Sequence, residues 1–121
     1  MHYRTTDVPA FVEFFEKMLG AEVFSREVSA GVPLVRVRLG DINLTLSGPP
    51  KGVPELLPAK GKVVHGLDHL ALAVDDLDAV AADLKAKGAR FITEPTQSSP
   101  HLKISFIEGP AGIRIEVLQR M

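Results

Sequence analysis

The 121-residue chain has 14 basic and 15 acidic residues, a formal net charge of −1, 45% hydrophobic residues and no cysteine. Balanced charge without a basic block excludes the electrostatic footprint of a nucleic-acid binder, and the lack of cysteine excludes disulfides, thiolate nucleophiles and cysteine-ligated zinc. No apolar run is long enough to span a bilayer and no secretory signal pattern occurs, so the expected setting is cytoplasmic, without a membrane partner.

Along the chain, "HYRTT" (2–6) reads as a short strand. "DVPAFVEFFEKMLG" (7–20) reads as a helix. Asp7 is placed to cap it, Pro9 fits its first turn, and Gly20 suits a left-handed C-terminal position. Val8, Phe11, Val12, Phe15, Met18 and Leu19 recur at helical spacing and form one buried face. Three strands are then predicted, in "AEVFSREV", "PLVRVRL" and "INLTLS", separated by turns at 29–31 and 40–41. Residues 48–63 are rich in proline and glycine and read as a surface connector.

The second half repeats this order. "LDHLALAV" is a strand, and Asp76 caps a helix carrying Leu77, Val80, Ala81 and Leu84 on its face and ending at Gly88. "ARFITE", "LKISFIE" and "IRIEVLQ" are strands, with a turn at 109–112 before the last. Residues 94–99 read as a flap-like loop. The expected fold is therefore α+β: one domain of two βαβββ modules, about 1–48 and 64–121, joined by the connector 48–63. Strand periodicity places Leu70, Leu72 and Val74 on one face and Leu67, His69, Ala71 and Ala73 on the other. The small neighbours leave room around His69. Arg114 and Glu116 share one face of the last strand.

"DHLALAVDDLDA" opening the second copy and "GPAGIRIEVLQ" closing it make the chain resemble the vicinal oxygen chelate superfamily. That group takes in glyoxalase I, methylmalonyl-CoA epimerase, extradiol dioxygenases and bleomycin-resistance proteins. The resemblance implies a cupped mixed sheet, with helices on its back and a divalent metal (Zn, Ni, Co, Mn or Fe) in the cup. Some readings of the group need no metal. In this sequence the implied ligands are His69, seven residues before Asp76, and Glu116.

The first module departs from the pattern. Seven residues before Asp7 falls ahead of Met1, and His2 lies two residues further along, on the same face. Those two residues span roughly 6.6 Å, so His2 serves as third ligand only with a register shift or bulge. The fourth position falls on Thr45, a poor ligand. His69 and Glu116 are equally readable as a plain hydrogen bond between neighbouring strands. His65 lies about 13 Å from His69 on an extended strand, too far to share one ion, and reads as a loop or pocket-rim residue. His101 reads as a surface residue. Arg36, Arg38, Thr45 and Lys103 are candidates to bind substrate, with Arg4 on the same front; converging cations would suit a carboxylate, phosphate or coenzyme A group. The bland alternative is solvated strand charge.

Three functions follow from the resemblance. The leading one is a metal-dependent lyase or isomerase acting on a small carbonyl or thioester substrate through an enediolate, with Glu116 as base. The others are a metal-free sequestering protein like those that confer bleomycin resistance, and an extradiol-type dioxygenase, which would need His2. A homodimer is expected of so small a chain.

Overall fold

The computed structural model describes residues 1–53 and 67–121. Strand β1 (His2–Arg4) leads into helix α1 (Val8–Leu19). The Asp7 side chain accepts a 3.0 Å hydrogen bond from the Ala10 N–H, satisfying one of the helix's unpaired donors. Gly20 ends the helix at φ 69°, a conformation that costs glycine no Cβ clash. Val8, Phe11, Val12 and Phe15 are buried, as their spacing requires. Strands β2 (Glu22–Ser29), β3 (Val32–Leu39) and β4 (Ile42–Ser47) complete the first half. Sheet order is β1-β4-β3-β2, with β1 parallel to β4 and the other pairs antiparallel. Helix α1 packs on β2, β3 and β4, and Val37, Leu44 and Leu46 beneath it are fully buried.

The second half has the same plan: β5 (Leu70–Ala73), α2 (Leu77–Ala86), β6 (Arg90–Ser99), β7 (Leu102–Glu108) and β8 (Arg114–Arg120), in sheet order β5-β8-β7-β6. Asp76 caps α2 through the Ala79 N–H at 3.0 Å. Leu77, Ala81 and Leu84 of α2 are buried against the sheet, together with Leu70, Ile107, Ile115 and Val117. The halves form two compact units, Met1–Pro58 and Ala59–Met121. Among the described residues no helix is long and apolar enough to cross a membrane.

Two expectations are corrected. Residues 94–99 continue strand β6 along β7 to its end, so they form no flap; Pro95, which has no N–H to donate, sits in the irregular stretch of pairing between Thr93 and Thr96. The strand expected over 67–74 begins only at Leu70, which leaves Leu67, Asp68 and His69 ahead of it.

Candidate functional site

Cross-strand register assembles a cluster at one end of the second sheet. β5 runs parallel to β8 with Ala71 opposite Glu116, and β7 runs antiparallel to β8 with Phe106 opposite Glu116. The turn that feeds β8 is closed by the Gly109 N–H donating to the Ile113 carbonyl at 2.8 Å. A Cβ at Gly109 would stand 2.6 Å from Ile113 Cγ1, so the close approach requires glycine.

His69 Nε2 lies 3.1 Å from Glu116 Oε2, and its Nδ1 lies 2.7 Å from Asp68 Oδ2. Edge-on contact with the Phe106 ring, centroids 5.2 Å apart, limits the imidazole from one side. Arg114 stacks over the same ring at 4.6 Å and reaches Asp68 Oδ2 with Nη1 at 3.3 Å. The hydrogen bond from His69, with the Arg114 charge adding to it, holds the Asp68 carboxyl below the usual aspartate value. The Glu116 side chain is only 14% exposed, against 31% for His69. One imidazole is thus held between two carboxylates. A neutral ring has a single N–H and satisfies one of them; the other contact calls for a second proton or a cation.

The donor set suits a borderline divalent ion in part. Two ligands each about 2.1 Å from a metal, at angles between square and tetrahedral, stand about 3.0–3.4 Å apart, which brackets the His69–Glu116 separation. Asp68 on the far ring nitrogen is the carboxylate support that metal-bound histidines carry. Among the described residues, however, no group of three or more histidine, aspartate or glutamate side chains is close enough to hold an ion. The fit is that of two donors.

The other residues named from sequence lie elsewhere. His2 Nε2 is 2.7 Å from Ser47 Oγ, and the parallel register sets His2 opposite Thr45. Because Ala71 is opposite Glu116 in the second unit, Thr45 corresponds to Glu116 and His2 to Ala71. His2 is therefore two residues away from the position of His69. Arg36 pairs with Glu27 at 2.6 Å, and Arg38 lies over the Phe24 ring at 5.0 Å. Lys103 is held by both Asp78 oxygens. His101 sits in the turn between β6 and β7, where its carbonyl accepts from the Met121 N–H at 3.0 Å. His65 lies outside the described residues.

The sequence did not mark Asp68, Phe106 or Arg114 as site residues. Adjacency of Asp68 to His69 and the two-residue spacing of Arg114 from Glu116 were the available signals. Phe106 needed the β7–β8 register.

Comparison with known proteins bears on this arrangement. The provisionally named glyoxylase CFP32 of Mycobacterium tuberculosis (strain CDC 1551 / Oshkosh) is 30% identical over 117 residues, covering 94% of this chain and 41% of that protein. The chain thus spans about two fifths of the curated relatives it matches. Glyoxalase I from Zea mays superposes with a TM-score of 0.78 at 22% identity, covering 98% of this chain and 43% of the maize chain. TnmS3, an antibiotic binding protein from Streptomyces sp. CB03234, superposes at 0.76 with 16% identity, covering 100% of this chain and 93% of its own. At such identities the superpositions establish the fold alone, and that fold serves unlike tasks. The model of the Glyoxalase/Bleomycin resistance protein/Dioxygenase superfamily matches residues 1–117, and the chain belongs to that superfamily.

Proposed function

We propose that the protein is a divalent-metal-dependent lyase or isomerase acting on a small carbonyl or thioester compound. His69 and Glu116 are the metal donors, both from the second unit. The observation that carries this reading is the clamp on His69: a carboxylate on Nδ1 sets the ring, and Nε2 faces a second, largely buried carboxylate. A hydrogen bond alone gives no reason for the additional support from Asp68 and Arg114. A divalent ion held there supplies Lewis-acid polarisation of a substrate carbonyl. Glu116 binds His69 through Oε2, and its Oε1 forms no side-chain hydrogen bond among the described residues. That oxygen takes the proton from the carbon next to the carbonyl; the C–H electron pair moves toward the carbonyl oxygen, and delivery of a proton to the neighbouring carbon, or to the opposite face of the first, completes an isomerisation. The low exposure of Glu116 limits competing water.

The test combines metal content with exchange. Purified protein should hold one divalent ion per chain, and His69→Ala should lose it. With a glutathione hemithioacetal or a branched acyl-CoA thioester, the protein should exchange the acidic proton with deuterium from solvent. Glu116→Gln should slow that exchange about 10²–10⁴-fold while changing ligand affinity much less. Absence of both metal and exchange would sink the enzyme reading.

The second reading, a metal-free binding protein, is favoured by two observations in the first unit: Thr45 stands where the register expects the counterpart of Glu116, and His2 is engaged by Ser47. Tight ligand binding that survives chelation and His69→Ala would establish it.

A further inference from the structure

Arg114 stands two residues before Glu116 on β8, and the register sets it opposite Glu108 of β7. Opposite charges directly across an antiparallel pair attract, so that carboxylate is the ready partner for its guanidinium. The pairing is otherwise. Glu108 pairs with Arg90 of β6 at 3.2 Å, while Arg114 leans diagonally over the ring of Phe106, the residue opposite Glu116, at 4.6 Å. Its Nη1 reaches Asp68 Oδ2 at 3.3 Å. The guanidinium is thereby brought to the rim of the His69–Glu116 pair.

Two neighbours shared with His69 fix that position. The Phe106 ring under the guanidinium also meets the imidazole edge-on, with centroids 5.2 Å apart. Asp68 Oδ2, which accepts from Arg114, lies 2.7 Å from His69 Nδ1. The Arg114 contact is the longer of the two and runs through Nη1 alone. Arginine grips a carboxylate most strongly through two parallel N–H bonds, so support of Asp68 occupies one corner of the fork. Stacking engages the face of the guanidinium and holds its plane, and the N–H donors lie on its edge. The Arg114 side chain is 40% exposed, so that edge is within reach of a small molecule.

We infer that Arg114 takes the carboxylate of the substrate and that the carbonyl compound handled at His69 and Glu116 is a keto acid, an assignment that rests on the proposed proton transfer at Glu116. Arg114 and Glu116 share one face of β8 with Cα atoms roughly 6.6 Å apart, so a short chain joins a carbon at Glu116 to a carboxylate at Arg114. Charge selects carboxylate over phosphoryl. Asp68 and Glu116 flank the guanidinium, and a single negative charge meets less repulsion from them than the double charge of a phosphoryl group. The substrate carboxylate meets the edge of the fork away from Asp68.

Levulinate, a ketone with a carboxylate at the end of a short chain, and its uncharged methyl ester provide the test. With the full chain as purified, calorimetry reads affinity, and NMR reads exchange of the protons beside the ketone with deuterium from solvent. Levulinate should bind at least about tenfold more tightly than the ester, and Arg114→Gln should remove most of that difference. A merely structural role for Arg114, acting through Asp68 and His69, would weaken acid and ester alike and leave their ratio intact. Asp68→Asn should keep the ratio, since the guanidinium remains stacked on Phe106. Arg114→Lys retains the charge without the planar fork and should give an intermediate ratio. Acid bound no better than ester by the unaltered protein, including no binding of either, would overturn the inference. So would an undiminished ratio in an Arg114→Gln variant that circular dichroism shows to be folded. The two readings fail separately. An Arg114-dependent preference for levulinate without exchange supports the carboxylate site and sinks the proton transfer; exchange of both compounds without that preference does the reverse.

Discussion

At the scale of single residues, the second unit devotes four side chains to the orientation of one imidazole. If Asp68 fixes His69 as a ligand, Asp68→Asn should weaken divalent-metal affinity about 10–100-fold without abolishing it, measured by competition with a chelating dye. Loss as complete as in His69→Ala, or no loss at all, would contradict the supporting role. Strand parity was enough to put His69 and Glu116 on one face in the sequence, because period two needs no tertiary information. The support around them was not legible: Phe106 meets His69, and Arg114 meets Phe106 and Asp68, only through interstrand register. A separate residue gives a direct pH test. Tyr3 is the chain's one tyrosine and tryptophan is absent, so its phenolate absorbance is unobscured. Burial raises the Tyr3 pKa above 10.0. Because the folded value is the higher, the contribution to stability is complete below 10.0 and is lost as pH rises through the folded value. A single transition with its midpoint above 10.0, returning to 10.0 in denaturant, is expected; equal midpoints would place the ring in water.

At the scale of elements, the two helices depend on their first residues. Asp7 and Asp76 each accept a hydrogen bond from the backbone N–H three residues on. Asp7→Ala and Asp76→Ala should each cost about 1 kcal/mol, read from urea denaturation midpoints, and Asn at either position should restore most of it. Such caps were legible because they depend on a few adjacent residues. Strand β6 was not. Its second part, "PTQSS", has the composition of a loop, and pairing with β7 overrides that preference by absorbing Pro95 in irregular register. Local composition misleads where a long-range partner supplies the hydrogen bonds. The same physics shortened β5, since Leu67 to His69 alternate like a strand but lie ahead of its pairing with β8.

At the scale of the whole molecule, the chain is one βαβββ plan written twice with different chemistry. The two registers align Thr45 with Glu116, so a donor pair like that of the second unit is not repeated in the first. Two donors leave most of an ion's coordination sphere to water, substrate or further protein groups. Among the described residues each sheet has a single helix packed on it, α1 on the first and α2 on the second. Apolar side chains also remain open on the edge strands, with Val28 73% and Ile92 49% exposed. A chain of 121 residues gains buried surface most readily by self-association. A homodimer is the expected state, with sedimentation equilibrium at micromolar concentration giving twice the 13.1 kDa chain mass. If a second copy contributes donors, metal affinity must also rise with protein concentration through the dimerisation range, because a ligand that prefers the dimer stabilises it by the same linkage. Metal affinity independent of concentration would confine the donors to one chain, and a monomeric mass at every concentration would remove the dimer altogether.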